Sequence, residues 1–173
     1  MMTKRQFLLS GVAVAGLAAL GVRFGMGRAQ SETSAEAFEV TKTEAEWRAI
    51  LSPEQYSVLR EEATESPGTS ELLNEHRKGT FACAGCDLPV FESDKKFDSG
   101  TGWPSFWAEI EGNVAFKEDN SFFMKRTEEH CRRCGGHLGH VFDDGPPPTG
   151  KRHCINGVSL VFHPAEGEGQ TTG

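Results

Sequence analysis

The sequence predicts a mainly β fold behind short N-terminal helices, and three observations carry that prediction. From Gly79 onward the chain divides into short apolar or alternating runs separated by Gly, Asp, Asn and Pro, the spacing of strands and turns. Upstream stand two helix-start signals, one directly after the other. Two Cys-x-x-Cys pairs, Cys83/Cys86 and Cys131/Cys134, lie where strand-like runs meet turns. Four thiolates are the donor set of a closed tetrahedral zinc site, and a metal there joins two hairpins separated by 44 residues.

The elements follow in order. Residues 1–29 hold no acid and four bases, Lys4, Arg5, Arg23 and Arg28, around a weakly apolar stretch from Phe7 to about Val22. The stretch is shorter than the roughly 20 residues of a spanning helix, and Gly27-Arg28-Ala29 is a small-x-small cleavage pattern, so these residues read as an export signal. Lys4-Arg5 before Gln6-Phe7-Leu8-Leu9 is similar to a twin-arginine signal, with lysine at one of the two arginine positions. A route that exports folded protein also reconciles the thiols with an oxidising compartment, because the metal is loaded before export. The expected location is the periplasm, or a membrane anchorage if the signal is retained. Once it is cleaved, no stable membrane insertion is expected.

Residues 30–42 are mostly polar or small, without periodicity, and read as a flexible linker. Thr43-Glu44-Ala45-Glu46 is a capping box, and Ser52-Pro53-Glu54-Gln55 repeats it with proline at the first helical position. The second helix carries Tyr56, Leu59 and Ala63 at helical spacing and stops before Ser66-Pro67-Gly68. Strands are expected at residues 80–82, 89–91, 113–116, 122–124 and 158–162. The proline run at 145–150 reads as a stiff, extended connector, and residues 164–173 as a loose tail. One domain, residues 43–163, carries the function.

Loss of the leader takes the formal charge from -7 to -11. An acidic chain without a clustered Lys/Arg stripe has no electrostatic footprint for nucleic acid or an anionic membrane surface.

The fifth cysteine, Cys154, has no partner in this scheme, and chemistry is sought there first. If Arg152 to Asn156 is strand, Arg152, Cys154 and Asn156 share one face while His153 and Ile155 take the other. A guanidinium beside a thiol favours the reactive thiolate, and Asn156 can orient a reacting group by hydrogen bonding. His137 and His140 lie in a glycine-rich segment and can act as acid or base near neutral pH. Asp144 either fixes a histidine tautomer or caps the following turn. Trp103, between Gly102 and Pro104, is held at the surface of a turn where it can wall a shallow apolar pocket.

The motifs Asp98-Ser99-Gly100-Thr101-Gly102-Trp103-Pro104-Ser105-Phe106, His137-Leu138-Gly139-His140-Val141-Phe142 and Arg152-His153-Cys154-Ile155-Asn156, with both Cys-x-x-Cys pairs, resemble the methionine-R-sulfoxide reductase family of B type. The resemblance runs from about Trp47 to Phe162. It implies two small antiparallel sheets with a structural zinc on Cys83, Cys86, Cys131 and Cys134. It also implies a Cys154 thiolate that attacks the sulfoxide sulfur of methionine-R-sulfoxide in peptides or proteins. His137 and His140 would supply the proton, with Asn156 supporting them, while Trp103 and Phe142 hold the substrate methyl and Arg152 favours the thiolate.

Two positions depart from the family pattern. Thr101 stands where many members carry a resolving cysteine, so the sulfenic acid on Cys154 is expected to be reduced by an external thioredoxin-like dithiol or a small thiol. His153 replaces a common aromatic residue, a change that would alter the pocket. The rival readings are a non-catalytic zinc-stabilised β module that binds a peptide or protein partner, and a zinc hydrolase using His137 and His140. The latter needs an open metal position and a third ligand.

Overall fold

The computed structural model describes residues 38–121 and 124–166. The expected export signal at 1–29 lies outside them, as do most of the expected linker, two residues of the strand expected at 122–124, and the end of the tail.

Both helices form where their capping boxes stand. Helix α1 spans Glu44–Ile50 behind Thr43, and α2 spans Pro53–Glu61 behind Ser52. In each, the cap hydroxyl accepts the third backbone N–H while the Glu46 or Gln55 side chain accepts the cap's own N–H. Helix α2 ends when Glu62 turns left-handed at φ 56°. Trp47, Leu51, Tyr56, Val58 and Leu59 are buried, so the helices close one side of the core.

Nine strands follow among the described residues: β1 Gly79–Cys83, β2 Pro89–Glu92, β3 Lys96–Phe97, β4 Ser105–Phe106, β5 Val114–Asp119, β6 Arg126–Cys131, β7 His137–Phe142, β8 Arg152–Ile155 and β9 Leu160–Pro164. They form two antiparallel sheets, one ordered β2-β1-β9 and the other β3-β4-β8-β7-β6-β5. Phe81 and Phe91 of the small sheet meet Phe106 of the large one, with ring centroids 5.0 and 4.4 Å apart. All three rings are fully buried, and each such side chain contributes on the order of 2–3 kcal/mol by leaving water.

Strand β6 has no apolar pattern, because its sequence is Arg-Thr-Glu-Glu-His-Cys, yet Glu128, Glu129 and His130 are buried. Partners make this tolerable: Glu128 meets His137 at 2.9 Å, and Glu129 meets His153 at 2.5 Å.

Three local expectations are corrected. Residues 38–42 dock on the protein: Val40 N–H donates to the Arg133 carbonyl at 2.9 Å, and the Phe38 ring meets His130 edge-on. Phe38 and Val40 are apolar within an otherwise polar stretch, and they have a surface to cover. Residues 145–150 close into a turn, with N–H donation from Gly145 to Gly150 and from Gly150 to Pro146, both at 3.0 Å, and this turn returns the chain from β7 to β8. The strand expected at 158–162 begins instead at Leu160 after a 3₁₀ turn and runs through Pro164, and Ala165 still donates to the Lys78 carbonyl at 2.8 Å.

Candidate active site and metal centre

The four zinc-type cysteines converge. Cys83 ends β1 and Cys131 ends β6, and in each knuckle a backbone N–H four residues on returns to the first cysteine's carbonyl at 2.8 Å. That returning residue has positive φ in both, 58° at Asp87 and 68° at Gly135, so the two knuckles share one backbone solution. All four sulfurs lie within 4.8 Å of one another, with Cys83 to Cys134 at 3.7 Å and Cys86 to Cys131 at 3.5 Å. Zinc–sulfur bonds of about 2.3 Å in a tetrahedron place sulfurs about 3.8 Å apart, so the quartet fits the ion. Hydrogen bonding, first of all with Cys131, holds the Cys83 thiol far above and the Cys86 thiol far below its ordinary value, as expected of sulfurs crowded around one centre.

Cys154 sits in the middle of the large sheet. Its register partners are His140 on β7 and Ser105 on β4, so the strand order alone places a histidine on one side of the thiol and a hydroxyl on the other. The alternation along β8 buries His153 and Ile155 and leaves Arg152 and Cys154 half-buried on the opposite face. Gly139 makes the close pairing of β7 and β8 feasible: a Cβ there would lie 2.1 Å from the Cys154 carbonyl oxygen.

An open cavity of about 140 Å³ lies over this face, lined by Thr64, Trp103, Gly139, His140, Phe142, Cys154, Asn156 and Arg126. The Trp103 indole N–H donates to the Glu65 carbonyl at 3.1 Å and fixes the ring as one wall. Arg152 lies over the Phe142 ring at 4.4 Å and is gripped by Asp144 through two bonds of 2.8 and 2.9 Å. Asp144 therefore neither fixes a histidine nor caps the turn, the two alternatives its sequence position left open.

Each histidine is paired with an acid. His137 Nδ1 meets Glu128 at 2.9 Å, and His140 Nε2 meets Asp119 at 2.9 Å, with the two rings 5.5 Å apart. The buried Nε2 of His137 has no hydrogen-bond partner among the described residues. Burial pushes His140 down, against the opposing pull of Asp119. Glu128 stays below the usual carboxylate range because His137 and Lys117 outweigh its burial.

Burial also governs Cys154. It pushes the thiol up, and the Thr101 hydroxyl and the Arg152 guanidinium oppose this without cancelling it. The Arg152 guanidinium acts toward thiolate, but desolvation is the larger effect and Asp144 shares the guanidinium.

Thr101 Oγ1 lies 3.9 Å from the Cys154 sulfur and leads into a hydroxyl chain, 2.8 Å to Ser99 and then 2.7 Å to Ser105. His153 does not reach the pocket. It is buried on the other face between Glu129 and Glu109, beside the Phe91 ring. The Asn156 side chain donates to the Leu138 carbonyl and accepts the Glu65 N–H, each at 3.0 Å, so it holds the wall of the cavity together.

Sequence reasoning missed Glu65, Asp119, Arg126 and Glu128. Adjacent glutamates at 128 and 129 before a cysteine were the available signal, since an alternating strand must bury one of them.

A four-cysteine clasp on two antiparallel sheets, with one further cysteine under an aromatic wall and beside two histidine–acid pairs, defines a small thiol-dependent oxidoreductase stabilised by zinc. The SelR domain family matches residues 51–164, and the chain belongs to this family, the B-type methionine-R-sulfoxide reductases. It is 53% identical over 133 residues to peptide methionine sulfoxide reductase MsrB of Methanosarcina mazei, covering 76% of this chain and 95% of the relative. The protein of the same name from Agrobacterium fabrum is 54% identical, with 73% and 94% covered. That of Pseudomonas putida is 55% identical, with 75% and 98% covered.

Proposed function

We propose that this protein reduces the R epimer of methionine sulfoxide, in peptides or proteins, to methionine with Cys154 as nucleophile. The observation that carries the reading is the placement of the one cysteine outside the metal quartet under Trp103 and beside His140. The name borne by relatives more than half identical over nearly their whole length supports it. Family membership and this site do not favour a non-catalytic binding module. The hydrolase reading has no support either, because His137 and His140 pair with acids and neither belongs to the quartet.

The Cys154 thiolate attacks the sulfoxide sulfur as a proton reaches the sulfoxide oxygen. The sulfur–oxygen bond breaks as the protonated oxygen passes to the Cys154 sulfur, the bond between the two sulfurs breaks as methionine leaves as the thioether, and Cys154 is thereby oxidised by two electrons to sulfenic acid. Bound substrate displaces water from the thiol, and its methyl group rests against Trp103 and Phe142. The oxygen then points toward the histidine side. Exchanging methyl and oxygen, as in the S epimer, sets a polar atom against the rings, and this is the basis of the selectivity. His140 at the cavity, with His137 behind it, supplies the proton, and the acids orient both rings. Cys83, Cys86, Cys131 and Cys134 would hold a zinc ion between the two sheets, where it would support the fold and take no part in the reaction.

An external thiol then attacks the sulfenic sulfur and releases water, and a second thiol reduces the mixed disulfide and restores Cys154. Thr101 supports this route, since a hydroxyl and not a thiol lies 3.9 Å from the Cys154 sulfur and the other four cysteines form the quartet. A thioredoxin-like dithiol or a small thiol fits the role. The charge and apolarity of residues 1–29 support export to the periplasm. Cell fractionation with detection at the C-terminus tests this, and mature-sized protein confined to the cytoplasm would refute it.

The deciding experiment offers separated R and S epimers of a peptide methionine sulfoxide to zinc-loaded protein with excess dithiol, alongside Cys154→Ser. Turnover of R alone, lost in the variant, is expected. No turnover by folded protein would overturn the reading.

A further inference from the structure

The loop after α2 carries a residue whose bonds all run to the cavity and the chain just beyond Cys154. Glu65 is half-buried and lies outside the hydrophobic core. Its N–H donates to Asn156 Oδ1 at 3.0 Å, and its carbonyl accepts the Trp103 indole N–H at 3.1 Å. Its carboxylate accepts the backbone N–H groups of Gly157 at 2.5 Å and Val158 at 3.2 Å. One residue thus ties the aromatic wall, the amide beside the nucleophile and the turn after β8. The neighbouring Thr64 lines the cavity, and a second tie joins the same loop to the Trp103 turn, from Gly68 N–H to the Gly102 carbonyl at 2.7 Å.

From this arrangement we infer that Glu65 is a positioning residue for sulfoxide reduction, holding Trp103 at a set distance from Cys154 by anchoring its own loop to the turn after β8. The inference rests on the reading of the Cys154 cavity as the reductase site. Trp103 is only half-buried, and its indole nitrogen is held through the Glu65 carbonyl. Where that carbonyl sits depends on the carboxylate clamp. Without the clamp the loop gains freedom and the indole loses its fixed partner. The methyl subsite loosens while the thiol and the histidine–acid pairs keep their own contacts. The defect should therefore appear in substrate capture and epimer discrimination, not in the reactivity of the free thiol.

The test compares the zinc-loaded protein with Glu65→Ala and Glu65→Gln. Active Cys154 is first titrated by iodoacetamide, and KM and kcat for the R-sulfoxide peptide are then measured per titrated thiol with excess dithiol. In Glu65→Ala, KM is expected to rise about tenfold and kcat to stay within about threefold, with the substrate-free alkylation rate of Cys154 unchanged within about twofold. Glu65→Gln, which keeps one acceptor oxygen, should fall between. If Glu65→Ala does not fold, Glu65→Gln carries the comparison, with a KM rise of about threefold expected. A purely structural role would lower the melting temperature and the fraction of titratable thiol and leave KM unmoved. That result in a folded variant overturns the inference while wild-type turnover keeps the reductase reading intact. Wild-type protein without turnover overturns both.

Discussion

Stripping the zinc should cost this fold several kcal/mol, and the geometry sets the scale. The metal bridges Cys86 and Cys131 across 44 intervening residues and so joins the small sheet to the large one. Treated as a cross-link on the unfolded chain, closure of a loop of that length contributes about 4 kcal/mol. Four buried or half-buried thiols also lose their common partner, so this figure is a floor. For a domain of this size each kcal/mol moves the melting temperature by about 3 to 4 °C, which places the expected fall at about 12 to 16 °C. The assay is thermal unfolding followed by far-UV circular dichroism, with and without a strong chelator, and with zinc added back. Turnover should fall as well, because β6 ends at Cys131 and carries the Glu128 that orients His137. A shift below about 4 °C in verified metal-free protein would refute the argument that the quartet staples the sheets.

Other outcomes follow from single distances. Thr101→Cys places a thiol where a hydroxyl now lies 3.9 Å from the Cys154 sulfur; one substrate turnover without reductant should give a disulfide between residues 101 and 154 by peptide mapping, and its absence would show that the turn cannot bring the sulfurs together. Because His140 is pushed down and its acid form is the active one, kcat/KM should decline as pH rises through a value below the ordinary ~6.5. Asp119 pulls that value up, and Arg126 and His137 pull it down, so Asp119→Asn should move the declining limb to lower pH; an unmoved limb would exclude His140 as the acid. Gly139→Ala sets a methyl against the Cys154 carbonyl, and an overpacking cost of about 1–3 kcal/mol with at least a tenfold loss of kcat/KM is expected. Unchanged kinetics in that variant would show that β7 and β8 tolerate separation at the nucleophile.

Local chemistry was legible in the sequence wherever it acts over a few residues. The two capping boxes placed the starts of α1 and α2 because each is closed by hydrogen bonds three residues apart. The metal donors followed from residue type and knuckle spacing, and the period of two along β8 set which side chains share a face with Cys154. Strand β6 was not legible, because Glu128 and Glu129 enter the interior only with His137 and His153 to receive them, and those partners lie 9 and 24 residues further on. The apolar residues Phe38 and Val40 looked like linker for the same reason: the surface they cover belongs to the second knuckle.

By itself, then, the sequence determined the helix starts, the zinc donor set, the odd fifth cysteine and the alternation around it, since each depends on residue identity within one turn or one strand. Tertiary structure alone decided that β8 lies between β4 and β7, which brings Ser105 and His140 to opposite sides of Cys154. It decided that Glu65 reaches across 91 residues to Asn156, and that burial outweighs Arg152 at the thiol. Strand order and desolvation are properties of the assembled whole: a thiol's solvation depends on everything packed over it, and no window of neighbouring residues contains that information.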